Sequence, residues 1–284
     1  MRRVALISGA VLASAAALVS GCSSPDSHES PAASGPPKVS PPAVQQAGTL
    51  KVCIDNDGAP PGVYHDESGA LIGSEIDLAK NVAAQLNLKA QFVESSFAAM
   101  IPGLQAKQCD VIMASLYIKP EREAIVDFVP YLYSGTGIAV SKEHPAAITG
   151  MDDSLCGKKV MVIVGTTAES LAREQSTKCT AGGRSAVDVN LNSRPDVSIQ
   201  QVQNGQMDAL IDAAETLGYY ATKTGAQIRM VGAPFGKIQI GAATLKGNTP
   251  LHDAVAQAIT ALENDGTYAK TLDKWGQADL SIAK

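Results

Sequence analysis

The sequence predicts an α/β fold, and three observations carry that expectation. Short apolar runs alternate with amphipathic helical stretches: Leu50, Val52 and Ile54, then Val111–Met113, then Lys159–Val164. Several of these runs end in polar or Gly- and Pro-rich loops, and an open α/β sheet binds its ligands there, at the carboxyl ends of its strands. Finally, the chain has 284 residues, 45% hydrophobic and 18% charged, which is enough for two domains with cores of their own. The net charge is −5 as written and −7 once residues 1–21 are removed, since they hold Arg2, Arg3 and no acid. That balance excludes the basic face a nucleic-acid binder needs.

Residues 1–21 read as a signal peptide, with a basic start at Arg2-Arg3 and an apolar stretch behind it. The stretch ends in Val19-Ser20-Gly21-Cys22, which resembles the lipobox of bacterial lipoproteins. In that reading Cys22 is lipidated and holds the protein at the membrane. The alternative is an uncleaved anchor with an incidental cysteine. Residues 22–47 are rich in Ser, Pro, Ala and Gly and read as a disordered tether.

Gly48–Asp55 reads as the first strand, and Asn56-Asp57-Gly58-Ala59-Pro60-Pro61 is a loop that no strand continues. Asp55 at the strand's carboxyl end either faces a ligand or organises the turn. A helix runs to about Leu86, with Leu78, Val82 and Leu86 on one face. Asp77 sits near its start as a structural acid, and Glu75 reads as a solvated carboxylate rather than a pocket one. Lys89–Glu94 is a second strand, and a helix follows from Ala98 to Lys107.

Asp110–Ser115 reads as a buried strand that then carries Ser115, Tyr117, Lys119 and Arg122 past the sheet edge. Pro120 suits a first helical position, so a short helix opens at Glu121. A guanidinium at Arg122 can grip a carboxylate with two parallel hydrogen bonds. Its alternative role is an ion pair with Asp127. Further on, Gly165-Thr166-Thr167 precedes a helix. Its N–H groups and hydroxyls suit an anion, and Thr166 and Thr167 also suit N-capping. No Gly-Lys-Ser/Thr follows, so this is not a phosphate loop.

Ala114-Ser115-Leu116, Ile118, Pro120-Glu121-Arg122 and Val126-Asp127-Phe128 with Pro130-Tyr131 resemble the polar-amino-acid class of bacterial extracellular solute-binding proteins, the capture subunits of ABC importers. Gly205-Gln206-Met207-Asp208-Ala209 and Leu262-x-x-Asp265-Gly266-Thr267-Tyr268 with Lys274-Trp275-Gly276 extend the resemblance, which covers roughly residues 48–277. It implies a two-lobed periplasmic-binding-protein fold of type II, two doubly wound sheets joined by two crossovers. Lobe 1 would be residues 48–142 and 238–284, and lobe 2 residues 143–237, with a hinge around Lys142 and Trp275 in the core.

The resemblance also implies a ligand carboxylate held by Arg122 and, from the other lobe, by Thr166 and Thr167. Phe97 and Tyr117 would flank the ligand, while Ser115 and Asp55 would take an ammonium or another polar group. The family's usual ammonium-binding Asp falls at Ala213, so Asp212 or Glu215 would replace it. Gly58 stands where an aromatic is common and opens room. The partners implied are a small polar solute, an amino acid or analogue, and a permease, with the protein a monomer on the extracytoplasmic face. No cofactor or metal is implied. Enzymes such as cyclohexadienyl dehydratase share this fold, and Glu75 or Glu215 would then be the general acid. A ligand-sensing accessory protein is the third option.

Four cysteines besides Cys22 should pair in an exported chain. Cys53 in the first strand and Cys109 at the start of the third are neighbours in a doubly wound sheet. Cys156 and Cys179 flank one strand–helix unit. The consistent set is Cys53–Cys109 and Cys156–Cys179.

Overall fold

A computed structural model describes residues 35–283. The expected signal peptide, Cys22 and the first part of the tether lie outside the described residues. The amino-terminal lobe begins with β1 (Thr49–Asp55), a small hairpin of β2 (Tyr64–His65) and β3 (Leu71–Ile72), then α1 (Ser74–Gln85) and β4 (Lys89–Ser95). It continues through α2 (Met100–Gln105), β5 (Val111–Ile112) and the single-turn α3 (Pro120–Glu123) into β6 (Val126–Ser141), which has 16 residues. The second lobe holds β7 (Lys159–Ile163), α4 (Thr167–Ala181), β8 (Asp188–Asn192), α5 (Pro195–Gln203), β9 (Ala209–Ala213), α6 (Ala214–Lys223) and β10 (Ile228–Met230). The chain returns along β11 (Phe235–Leu245) and ends in α7 (Thr249–Asn264) and α8 (Thr267–Lys274).

Strand alternation builds the layers. Leu50, Val52 and Ile54 of β1 point to the core under α1 and α7, with Val82, Leu86, Leu251 and Val255. Cys53, between them, points to the opposite core with Met100, Leu104 and Ile112. In the second lobe Val160 and Val162 meet Ala172 of α4, while Met161 meets Ile199 and Leu217 of α5 and α6.

The two expected sheets form one continuous path, β4-β1-β5-β11-β6-β9-β7-β8, with β10 also on β6. The cause is the length of β6. From Val126 to Thr136 it pairs with β11, and Thr136–Ala139 pairs with Ala213–Leu210 of β9. Thr136 thus has a strand partner on either side, and the exchange of β11 for β9 as the neighbour of β6 falls there, ahead of Lys142. A register shift between Phe235 and Ile238 of β11 marks the same place.

Both expected disulfides are present, Cys53–Cys109 and Cys156–Cys179, each with its Cα atoms 5.6 Å apart. The segment read as a disordered tether needs correction at its end. Val39 and Val44 are buried in the first core. Lys38 N donates to Leu86 O at 3.0 Å, and Gln45 N donates to Asp110 Oδ1 at 2.7 Å. Composition suggested disorder, but two valines and a few backbone partners suffice to dock this stretch on the lobe.

Candidate functional site

A cavity lies between the lobes, at the carboxyl ends of the central strands. Lobe 1 lines it with Asp55, Phe97, Ser115, Tyr117 and Arg122, and lobe 2 with Thr166, Thr167 and Asp212. Eight of the nine residues singled out as ligand-binding from the sequence thus meet in one place.

Arg122 sits on α3, whose first residue is Pro120. Its Nη1 donates to Tyr117 O at 2.9 Å, and its Nη2 reaches across the cleft to Gly165 O at 3.3 Å. The guanidinium lies 5.6 Å from the centre of the Phe97 ring. Asp127, the alternative partner, is taken by Lys246 at 2.8 Å and Gly247 N at 2.9 Å. Among the described residues Arg122 has no carboxylate partner. Its charge is half-buried against two neutral carbonyls, and burial lowers its pKa.

Opposite lies the start of α4, a helix of 15 residues. Thr166 is its N-cap: the Oγ1 donates to Ile163 O at 2.7 Å and accepts from Glu169 N at 3.4 Å. Glu169 reaches back to accept from Gly165 N at 2.8 Å, so the turn is pinned from both sides. Thr167 Oγ1 is buried and has no partner among the described residues. A buried hydroxyl without a partner is costly unless a ligand completes it.

Carboxylates gather at the floor. Asp55 is buried, and Asp57 N donates to it at 3.1 Å. Burial, with the nearby charges of Asp57, Asp212 and Glu75, pushes its pKa up to about 7. Asp212 accepts from Ala213 N at 2.8 Å through Oδ1, while its buried Oδ2 has no partner among the described residues. Burial pushes Asp212 up to about 7 as well. The sequence left Asp212 and Glu215 as equal candidates, and the structure separates them. Glu215 accepts from Ser134 Oγ at 2.8 Å and lines a different groove, beside Tyr133, Tyr219 and Trp275. Its pKa also rises to about 7, by burial first, then through the charges of Asp212 and Glu75.

These three raised acids give a pH signature. Between about pH 4 and about pH 7 the folded state holds protons that the unfolded state has released. Stability of the free protein therefore falls as pH rises through that window. The thermal midpoint should be higher at pH 5 than at pH 8, and Asp212→Asn should flatten that difference. A midpoint that rises steadily to pH 8 would contradict this assignment.

Glu75, read as solvated, is fully buried. Its carboxylate accepts from Ser115 N at 2.7 Å, from Ser115 Oγ at 3.1 Å and from Tyr131 OH. It fixes Ser115, whose φ of 51° is left-handed and unusual for a residue with a side chain. Tyr117 is similarly fixed, its OH 2.8 Å from Ser134 Oγ and donating to Gly135 O at 3.1 Å. Trp275, expected in the core, is half-buried at the groove beside Glu215, and its Nε1 donates to Asp77 Oδ2 at 2.8 Å. The sequence reading missed Thr136 and Thr216, which also line the cavity. The small-residue run Gly135-Thr136-Gly137 in the crossing strand was the available signal for Thr136.

The chain is similar to known proteins in both sequence and fold. The family described as bacterial extracellular solute-binding proteins, family 3, matches residues 50–278. The L-cystine-binding protein of Escherichia coli strain K12 is 31% identical over 240 residues, covering 84% of this chain and 86% of that protein. A solved ancestral arginine-binding protein bound to arginine superposes with a TM-score of 0.73 at 34% identity, covering 80% of this chain and 98% of the other. An ancestral amino acid-binding protein, a precursor of cyclohexadienyl dehydratase, superposes with a TM-score of 0.70 at 31% identity, covering 80% and 95%.

Proposed function

Because the chain belongs to the bacterial extracellular solute-binding proteins of family 3, we propose that its solute is an amino acid, captured between the lobes and passed to an ABC importer. One observation carries the reading: the half-buried Arg122 guanidinium has no carboxylate among the described residues and faces an unpartnered Thr167 hydroxyl across the cleft. A solute carboxylate would complete both, with the amino end of α4 adding its positive field. The α-ammonium would meet Asp212 Oδ2, with Asp55 beside it and Ser115 Oγ as a further acceptor. Asp212 thus takes the part that Ala213 cannot. Phe97, stacked under Arg122, would fix the guanidinium plane.

Lipidation at Cys22 would hold the protein at the extracytoplasmic face. Val19-Ser20-Gly21 directly before the cysteine supports that anchoring. The named relatives support the solute class, since they bind cystine and arginine.

Refolded, solute-free protein should show a raised thermal midpoint with at least one L-α-amino acid, because a ligand that binds only the folded state stabilises it by mass action. No shift with any α-amino acid would overturn the reading. A second reading comes from the buried acids with raised pKa, which suit a dehydratase's general acid, and from the dehydratase-precursor neighbour. Recovery of the bound compound unchanged separates capture from catalysis.

A further inference from the structure

The groove beside Glu215 has a volume of about 660 Å³ and shares no lining residue with the cleft between the lobes. Tyr133, Trp275 and Gln277 of lobe 1 face it, and so do Glu215 and Tyr219 of lobe 2. Gly135 and Phe235 line it as well, from the stretch where β6 and β11 pass from one lobe to the other.

Its polar groups lack donors. Gln277 is 3% exposed, and its Oε1 has no partner among the described residues. A buried carbonyl oxygen without a donor is costly. Glu215 accepts from Ser134 Oγ at 2.8 Å through each of its oxygens, but a hydroxyl has one proton to give and a carboxylate has room for about four hydrogen bonds. A group with several N–H protons would complete both. Aromatic side chains surround these acceptors, and aromatic faces attract an ammonium while covering an apolar body. The groove's lysines do not supply that cation. Lys223 and Lys237 are exposed, and Lys237 Nζ lies 4.0 Å from the centre of the Tyr133 ring.

Ser134 joins this groove to the cleft. The Tyr117 OH lies 2.8 Å from the same Ser134 Oγ that donates to Glu215, and Tyr117 lines the cleft.

We propose that this groove is a second ligand site, for a small primary amine with an aromatic body, and that it is coupled to the cleft. The ammonium donates to Glu215 and to Gln277 Oε1, and the ring lies among Tyr219, Phe235 and Trp275. A cation there also draws the raised Glu215 carboxyl back toward its charged form. An occupant touching both lobes favours the arrangement in which Arg122 reaches Gly165, so it and the cleft solute strengthen each other's binding. The site stands apart from the amino acid reading, and only the coupling rests on it.

The test is calorimetric titration of the full-length protein, refolded free of solute, at pH 8. The probes are 2-phenylethylamine and 3-phenylpropionate, which has the same body with a carboxylate in place of the ammonium. The amine should bind and the acid should not. Glu215→Gln keeps an acceptor for Ser134 but removes the charge, and should weaken the amine about tenfold or more. Gln277→Met keeps the shape and removes the acceptor, and should weaken it severalfold. Asp212→Asn should leave the amine's affinity unchanged, because Asp212 lies in the cleft. No binding of the amine, equal binding of the acid, an affinity unmoved by both groove variants, or binding lost in Asp212→Asn overturns the site. The amine should bind at least about threefold more tightly when the best-binding amino acid is present. An unchanged affinity there overturns the coupling.

Discussion

Arg122→Ala should abolish measurable solute binding. Truncating one side of a buried, hydrogen-bonded charge pair costs about 2–5 kcal/mol, which is roughly a 30-fold to several-thousand-fold loss of affinity. The cost is large here because nothing stands in for the guanidinium. The cleft holds no second cation among its lining residues, and Thr167 offers only a hydroxyl. Arg122→Lys should fall between the two, keeping the charge but losing the planar fork. Titration of the refolded variants against the best-binding amino acid reads both effects. Urea unfolding controls for the fold, since Arg122 also donates to Tyr117 O and Gly165 O. Unchanged affinity in Arg122→Ala would remove the carboxylate clamp from the reading.

Glu75→Ala should lower stability by about 3–5 kcal/mol, as expected for breaking a buried polar network. The substitution strands Ser115 N–H, Ser115 Oγ–H and Tyr131 O–H, each at a cost of about 1–3 kcal/mol if left unsatisfied. It also frees Ser115 from its left-handed conformation, so binding should weaken even where the protein stays folded. The midpoint of urea unfolding reads the first effect, and titration below that midpoint reads the second. A loss under about 1 kcal/mol would mean that water fills the site and Glu75 does not hold the loop.

Arg122 and the Thr166–Thr167 loop were legible in the sequence because their placement is local. In each, a strand runs into a polar turn and a helix start, and Pro120 or Thr166 fixes the register of that start. Glu75 was misread because its burial comes from Ser115 and Tyr131, distant in the chain, and nothing in Leu71–Leu78 announces those partners. Asp212 and Glu215 were indistinguishable in sequence because the strand ends between them. Asp212 is still in β9 and points into the cleft, while Glu215 is in the first turn of α6 and rotates toward Ser134. The docked Val39 and Val44 were hidden by the Ser- and Pro-rich residues around them. The full length of the shared strand was hidden too, because Asp127, Pro130 and Gly135-Thr136-Gly137 break up the apolar pattern of Val126–Ser141.

That shared ribbon decides the mechanics of the molecule. β6 and β11 belong to both lobes and carry a register shift where the change of partner occurs. Any opening or shutting would therefore be the flexing of a leaf spring and not the turning of a door on a pin. The hydrogen-bonded ribbon would bend, the two cores would travel as blocks, and neither core would have to be unpacked. What is made and broken are the contacts at the jaws, such as Arg122 on Gly165 and Tyr64 on Tyr219. A solute that adds its own bonds there latches the spring, and losing it lets the jaws recoil.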